Sequence, residues 1–164
     1  MSQQVGRLAR IWVKRAKGGP MDLETSATLI AGRGIVGNWD QGRRRQVTLI
    51  DGEVWRTLTS QLGSVLDPGR RRANRMLEGI RLENTRGKHL RIGTCLLRIA
   101  GETKPCEQMD EALPGLQDLM WPNWGGGAYA EILEGGEIRI GDAAGWVGEK
   151  PRSEPSLTTE ASAT

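Results

Sequence analysis

The chain has 164 residues, a formal net charge of +3 and 37% hydrophobic residues, which is typical of one soluble globular domain with a continuous core. It contains no apolar run of about eighteen residues, and its basic N-terminus lacks the apolar core of a secretory signal. We therefore expect a cytoplasmic protein with no membrane partner, and the two cysteines are too few for a disulfide framework.

Strands dominate the pattern along the chain. Apolar runs bounded by glycine and proline predict three early strands, in residues 5–15, 25–32 and 45–50. Residues 88–102 predict either one strand with a bulge at Gly93 or two short strands joined by a turn there. Near the end, residues 128–133 and 137–142 flank a glycine-rich turn and predict a β-hairpin.

Helices are few. Asp51 is suited to cap a helix that runs to about Leu62, with Gly63 as its stop. A second helical region spans about residues 107–120, and Pro114 divides it because proline is excluded from a helix interior. Many strands and few helices predict a mainly β fold, a barrel or sandwich of mostly antiparallel strands with short helices at the rim.

The domain is expected to span residues 1–147. Residues 148–164 are rich in Pro, Ser, Thr and Glu and contain one large apolar residue. Such a segment buries too little apolar surface to offset the entropy of ordering it. We therefore predict a disordered C-terminal tail.

Residues 32–37 match the G-x-G-x-x-G pattern of dinucleotide-binding loops letter for letter. That pattern binds a pyrophosphate only when a helix follows at once, because the phosphates lie at the N-terminus of the helix. Residues 38–50 instead predict a polar loop and a strand. We therefore reject a nicotinamide cofactor and assign the glycines to a tight loop that needs positive φ angles.

Arginine supplies 18 of the 23 basic residues, and two runs are dense, Arg43–Arg45 and Arg70–Arg72. Guanidinium groups bind phosphate and carboxylate oxygens through two hydrogen bonds at once. The runs are consistent with solvated loops, with an anion site, or with a non-catalytic module that binds single-stranded nucleic acid by stacking bases on Trp39, Trp121 and Trp124. Because the net charge is only +3, nucleic acid is not the expected partner.

The two cysteines have different surroundings. Cys95 lies within an apolar strand pattern and is predicted to be core, where a thiol behaves as a small hydrophobic group. Cys106 follows a turn that ends at Pro105 and has Lys104 close by. Proline biases Lys104 away from helical geometry, so a helix can begin only at or after Cys106.

A thiol at a helix start, close to a lysine, favours the thiolate, which is both the nucleophile and the metal ligand. Glu107 acts in the opposite direction, so a structural thiol remains the alternative for Cys106. A nucleophile pair of Cys106 with His89, the single histidine, has no further support. A cysteine that binds a soft metal or carries a persulfide sulfur needs no histidine base.

The ordered motifs of the chain resemble the MOSC domain, the family named for the C-terminal domain of molybdenum cofactor sulfurases. Gly34–Asn38 is similar to the family's G-I-x-G-D loop, and residues 45–50 to the strand after it. Arg72–Asn74 stands where G-E-N is usual, and Pro105 with Cys106 resembles the signature cysteine. Residues 125–142 are similar to the closing G-x-Y-x-x-V-L-x-G-G-x-I-x-x-G-D hairpin.

The resemblance implies a β-barrel-rich fold in which Cys106 is a molybdenum ligand or a sulfur carrier. In relatives that hold the molybdenum cofactor, a pterin with a dithiolene and a terminal phosphate, the matching cysteine binds the metal. The implied activity is reduction of a small N-oxygenated molecule with electrons from a donor protein, or transfer of a persulfide sulfur. Larger relatives carry a pyridoxal-phosphate-dependent cysteine desulfurase domain, which this sequence lacks, so we expect a separate sulfur donor.

The resemblance also implies roles for individual residues. Lys104 would stabilise the Cys106 thiolate or bind an anionic group. Asn38 and Ala73 stand where the family usually has carboxylates, which makes the cavity more positive and favours an anionic ligand, unless both positions are structural. The remaining candidates for cofactor contacts are Arg44, Arg72, Asn74, Thr103, Gly126 and Gly127.

Overall fold

The computed structural model describes residues 6–14, 21–38, 46–63, 75–105 and 108–148. Its strands are β1 (Gly6–Lys14), β2 (Met21–Glu24), β3 (Ser26–Ile30), β4 (Gly34–Ile35), β5 (Val47–Asp51), β6 (Arg75–Glu78), β7 (His89–Ile92), β8 (Cys95–Glu102), β9 (Ala128–Glu134), β10 (Gly136–Arg139) and β11 (Ala143–Val147). Its helices are α1 (Gly52–Gln61), α2 (Gln108–Ala112) and α3 (Leu116–Met120). The prediction of a mainly β chain with short helices is confirmed.

Seven strands close into a barrel. They follow the order β11-β7-β8-β9-β5-β6-β1, and β1 pairs again with β11 to complete the circle. The pairings are antiparallel apart from β5 with β6, whose connection contains α1, as a parallel pair requires a crossover. The strand β2 extends the sheet beyond β1, and β10, β3 and β4 form a second, three-stranded sheet.

The barrel interior is filled by aliphatic side chains from alternate positions of the strands. Fully buried examples from five different strands are Leu8, Leu49, Leu77, Leu90 and Ile99. Cys95 belongs to the same cluster with none of its surface exposed, which confirms the prediction that it is core. A second buried cluster joins the outer face of the barrel to the helices, and it contains Trp12 and Trp55.

The helix α1 begins and ends where the sequence predicts. The Asp51 side chain accepts hydrogen bonds from the backbone N–H groups of Glu53 and Val54, which have no partner within the helix. After the C-cap at Leu62, Gly63 adopts a φ of +73° that an L side chain rarely adopts. Local sequence signals are therefore sufficient for this helix.

The second helical region is broken as predicted. It consists of α2 and α3, and Gly115 between them has a φ of +90°. The Asp110 carboxylate holds the two helices together by accepting a hydrogen bond of 2.9 Å from the Gln117 N–H. The helices bury Met109, Leu116 and Met120 against the second core cluster.

The predicted hairpin between β9 and β10 is wrong. Both edges of β9 are occupied inside the barrel, by β5 and β8, and β10 instead pairs with β3 in the second sheet. The backbone at Gly135 packs so closely on the Leu29 carbonyl that a Cβ would overlap it. The glycines thus let the chain leave one sheet for the other. At residue 93, by contrast, the predicted turn between two short strands is confirmed, with a φ of +56° at Gly93.

None of the helices in the described ranges is long and apolar enough to span a membrane. Gly148 is the last residue that these ranges include. The predicted tail beyond it lies outside the described residues and stays a prediction.

Candidate functional site

Four of the predicted site residues, Cys106, Arg44, Arg72 and Asn74, lie outside the described residues. Their roles stay predictions. The structure places the other four at the ends of two adjacent strands of the barrel. Thr103 and Lys104 directly follow β8, and Gly126 and Gly127 directly precede β9. Because β8 and β9 are antiparallel and Glu102 pairs with Ala128, these residues lie together at one end of the barrel.

Thr103 is held at this end by its backbone and has a buried side-chain hydroxyl group. Its backbone N–H donates a hydrogen bond of 2.9 Å to the Gly127 carbonyl. Its side chain is buried, and within the described ranges its Oγ1 atom has no hydrogen-bond partner. A buried polar group without a partner costs about 1–3 kcal/mol, so we expect the partner of this hydroxyl to lie outside the described residues.

Lys104 is engaged by its immediate neighbours. Its Nζ atom donates a hydrogen bond of 3.3 Å to the Trp121 carbonyl oxygen and lies 4.5 Å from the centre of the Trp121 ring. The same atom is 3.3 Å from a carboxylate oxygen of Glu102. In this geometry the ammonium charge is largely committed to Glu102 and Trp121.

Gly127 has a packing role that is visible in the structure. Its φ is +93°, and a Cβ at this position would overlap the Leu49 carbonyl group. The close backbone approach expected here is therefore made to β5, where Leu49 pairs with Ala128. Gly126 is buried beside it.

The glycine loop at residues 32–37 is a turn around the short strand β4. Its three glycines, Gly32, Gly34 and Gly37, all have positive φ angles, of 76°, 150° and 85°. Asn38 follows, and its side-chain oxygen accepts a hydrogen bond of 2.8 Å from the Lys14 backbone. The loop thus supports the end of β1, in agreement with the structural reading of Asn38.

Sequence reasoning missed a buried arginine. Arg75, the first residue of β6, is fully buried, and burial lowers its pKa to about 9, although the nearby Cys95 thiol acts in the opposite direction. Burial has the opposite effect on the pKa of the Cys95 thiol, which it raises, because in both residues burial disfavours the charged form. In the sequence Arg75 follows three other arginines at 70–72 by only a few positions, and nothing in the pattern distinguishes it from them.

A cleft of about 510 Å³ lies between α1 and the turn after α3. It is bounded by α1, by residues 81–83 after β6, and by residues 119–125 after the start of α3. Trp121, which contacts the Lys104 ammonium group, lies within this last stretch. The cleft was not predicted, because its walls come from three separate parts of the chain.

Two arginines on the barrel surface pair with glutamates of β9. Arg91 lies 3.4 Å from Glu134, and Arg98 lies 3.4 Å from Glu131. Of the three tryptophans considered as stacking surfaces, Trp39 lies outside the described residues, Trp124 packs against the barrel core, and Trp121 is about half exposed. A nucleic-acid surface built from tryptophans and free arginines gains no support from these contacts.

Residues 33–144 match the family model of the MOSC domain, which is more than half of the chain. This chain belongs to the MOSC domain family. Among solved structures, the YuaD protein from Bacillus subtilis is similar with a TM-score of 0.70 and 18% identity, over 88% of this chain and 97% of that one. No curated protein matches the sequence.

Two YiiM structures are also similar to this MOSC protein. YiiM from Geobacillus stearothermophilus has a TM-score of 0.69 and 18% identity, with 87% of this chain and 75% of that chain covered. YiiM from Escherichia coli has a TM-score of 0.66 and 15% identity, with 88% and 71% covered. At these identities the structures establish the fold, which confirms the predicted MOSC-like barrel.

The MOSC family is associated in general with the molybdenum cofactor. The described residues fit such a group at one point, the unused and buried Thr103 hydroxyl. Within the described ranges, no three His, Cys, Asp or Glu side chains are grouped so that they could hold a metal ion. Cys106, the predicted ligand, lies outside these ranges.

Proposed function

We propose that this MOSC protein binds the molybdenum cofactor with Cys106 as the metal ligand and reduces a small N-oxygenated compound. The proposal is supported by the family, by the signature position of Cys106 directly after Pro105, and by the buried Thr103 hydroxyl three residues earlier. The Thr103 hydroxyl is the single observation on which the local argument rests.

The segment before Cys106 is anchored on both sides. The Thr103 N–H donates to the Gly127 carbonyl, and the carbonyl of the buried Pro105 accepts a hydrogen bond of 3.5 Å from the Gln117 side chain. A ligand-bearing residue is effective when its supporting residues are held by packing and hydrogen bonds. These contacts would fix the direction in which the chain enters Cys106.

The residues would divide the work as follows. The Cys106 thiolate would bind the metal, and the Thr103 hydroxyl would donate a hydrogen bond to the organic part of the cofactor. Arg44 and Arg72 would hold the terminal phosphate, and Asn74 would bond the pterin edge. Lys104 would act mainly by positioning Trp121, because its charge is already shared with Glu102.

The bound cofactor would supply two-electron redox chemistry. In the overall reaction the N–O bond of the substrate breaks, two electrons and two protons are taken up, and water leaves with the reduced nitrogen compound. The electrons must come from a separate electron-donor protein. A small molecule is the substrate class, and we expect a cytoplasmic setting.

The experiment is a metal and pterin analysis of the purified protein. The chain is produced in a molybdenum-replete host, and molybdenum and oxidised pterin are measured per chain for the unchanged protein, for Cys106→Ser and for Cys95→Ala. We expect near-stoichiometric molybdenum and pterin in the unchanged protein, retention in Cys95→Ala, and loss of molybdenum in Cys106→Ser with an unaltered circular dichroism spectrum.

Intact-protein mass spectrometry separates the second mechanism. An adduct of about 32 Da on Cys106, without molybdenum, indicates a persulfide, and Cys106 would then be a sulfur carrier that receives sulfur from a cysteine desulfurase. Molybdenum that stays bound in Cys106→Ser would contradict Cys106 as the ligand. A protein with neither molybdenum nor adduct would leave the non-catalytic binding module as the better description.

A further inference from the structure

The cleft between α1 and the turn after α3 has both polar and apolar walls. Along α1 it is lined by Glu53, Thr57 and Gln61, which are spaced four residues apart and therefore project from one side of the helix. Apolar surface comes from Leu58 on the same helix and from Leu119 across the cleft. A volume of about 510 Å³ with apolar walls and a few polar groups is typical of a small-molecule site.

Negatively charged side chains outnumber positively charged ones in the cleft, although the net charge of the chain is +3. Two carboxylates, Glu53 and Glu83, line it, against the single guanidinium of Arg81. The Arg81 guanidinium already pairs with two carboxylates, since its Nη2 atom lies 3.8 Å from Glu83 and its Nε atom lies 3.9 Å from Asp51. The surplus of negative charge would attract a cation.

Asp51 adds a second, independent observation. Its side chain is only 5% exposed and lies behind Arg81 at the base of α1. One carboxylate oxygen, Oδ1, caps the helix, whereas Oδ2 has no hydrogen-bond partner within the described residues. Oδ2 faces a cleft-lining side chain at a distance too long for a hydrogen bond. Among the described residues, a buried carboxylate oxygen without a hydrogen-bond partner therefore lies next to the cleft-lining Arg81.

We propose that this cleft binds a small organic cation, an apolar body that carries a protonated amine. The amine would lie between Glu53 and Glu83, and the body would lie against Leu58 and Leu119. On binding, Glu83 would turn towards the amine, which frees Arg81 to close the short gap to Asp51. The proposal requires neither Cys106 nor a bound cofactor and goes beyond the proposed function.

Three probes with the same body and different charges test it. Phenethylamine is the cation, 2-phenylethanol its neutral counterpart, and 3-phenylpropionate the anion. Each is titrated into the ¹⁵N-labelled protein at pH 7, and the backbone amides of Thr57, Gln61 and Asn123 are followed by NMR. We expect phenethylamine to bind about five- to tenfold more tightly than 2-phenylethanol, and the anion most weakly.

Matched variants locate the charge preference. Glu53→Gln and Glu83→Gln should each weaken phenethylamine about two- to fivefold and leave 2-phenylethanol unchanged, whereas Arg81→Gln should strengthen phenethylamine by a similar factor. Glu134→Gln, which removes a carboxylate paired with Arg91 away from the cleft, should have no effect. Cys106→Ser should bind the cation as the unchanged protein does, so the two proposals fail separately.

The proposal is overturned if the three probes bind with equal affinity, if none binds at millimolar concentration, or if the shifted amides lie outside the cleft. A uniform loss of affinity for all three probes in the glutamate variants also overturns it. Such a loss would be explained by a structural effect of the substitutions and not by the charge of the probe. Thermal unfolding of each variant identifies that case independently.

Discussion

The ammonium group of Lys104 lies 4.5 Å from the centre of the Trp121 ring and donates a hydrogen bond of 3.3 Å to the carbonyl oxygen of the same residue. Glu102 completes the arrangement, with a carboxylate oxygen 3.3 Å from Nζ. The two contacts with Trp121 therefore join the end of β8 to the turn after α3. Residues 122–125 of this turn form part of one wall of the cleft.

We expect Lys104→Met to lower the free energy of unfolding by about 0.5–1 kcal/mol, because these contacts are partly exposed and screened by solvent. Urea unfolding at pH 7 measures the loss. Since the ammonium is committed to Glu102 and Trp121, the alkylation rate of Cys106 should fall by less than about threefold. A much larger fall would show that Lys104 acts directly on the Cys106 thiolate, as the sequence alone predicts.

Arg56 on α1 and Glu78 on β6 form an ion pair with two hydrogen bonds of 2.7 and 2.8 Å. The Arg56 guanidinium holds the pKa of Glu78 below its ordinary value of 4.5. A carboxylate with a lowered pKa contributes stability that is present above the unfolded pKa and is lost as the pH falls through the folded one. The stabilisation is therefore complete at neutral pH and disappears in acid.

Arg56→Gln should accordingly lower the free energy of unfolding by about 0.5–1 kcal/mol at pH 7, since Arg56 is more than half exposed. The difference from the unchanged protein should shrink as the pH falls below about 4.5. Arg139→Gln, which removes an exposed pair with Glu137, is the matched control and should change little. A loss that persists undiminished at pH 3 would contradict the ion-pair explanation.

Asp51 has the opposite pH dependence. Burial raises its pKa above 3.8, against the lowering effect of the helix-capping hydrogen bonds. The folded chain then holds a proton that the unfolded chain releases, so stability decreases as the pH rises through the folded pKa. Relative to Asp51→Asn, which keeps the cap oxygen but cannot ionise, the unchanged protein should become more stable as the pH falls from neutral to below 3.8.

Two further variants complete the Asp51 test. Asp51→Ala should lose about 1 kcal/mol at every pH, because it removes the cap itself. Asp118→Asn, in the exposed first turn of α3, should follow the unchanged protein. Chemical unfolding of the four proteins across this pH range is the measurement. If the unchanged protein loses stability in acid relative to Asp51→Asn, the capping bonds outweigh burial and the assigned direction of the pKa is wrong.

The features that the sequence predicts well are those that depend on neighbours along the chain. The helix cap at Asp51, the stop at Gly63 and the break at Pro114 each need only a few adjacent residues to be recognised. Cys95 is predicted as core because it lies within a local strand pattern of apolar residues. These elements are enough to indicate a barrel with helices at its rim.

The features that the sequence does not predict depend on distant pairing. The glycines between β9 and β10 carry a strong hairpin signal, but β9 finds its partners in β5 and β8, and β10 finds its partner in β3. The cleft carboxylates Glu53 and Glu83 are thirty positions apart, and each is ordinary where it stands. Only the closed barrel brings such residues together.

Two glycines with nearly equal backbone geometry test the packing of β9 against β5. Gly127 has a φ of +93° and no room for a Cβ beside the Leu49 carbonyl, whereas Gly141 has a φ of +98° and open space around it. Gly141→Ala should cost about 1 kcal/mol, the strain of the positive φ alone. Gly127→Ala adds a backbone overlap and should cost at least about 3 kcal/mol.

Thermal and urea unfolding of the two variants give the comparison, and because the conformational strain is common to both, their difference isolates the overlap. If Gly127→Ala is too unstable to purify while Gly141→Ala is not, the same conclusion follows from soluble yield. A Gly127→Ala protein as stable as Gly141→Ala would mean that β5 and β9 separate readily at this end of the barrel. In that case, loss of molybdenum from a stable Gly127→Ala protein would instead assign Gly127 to close approach of the cofactor.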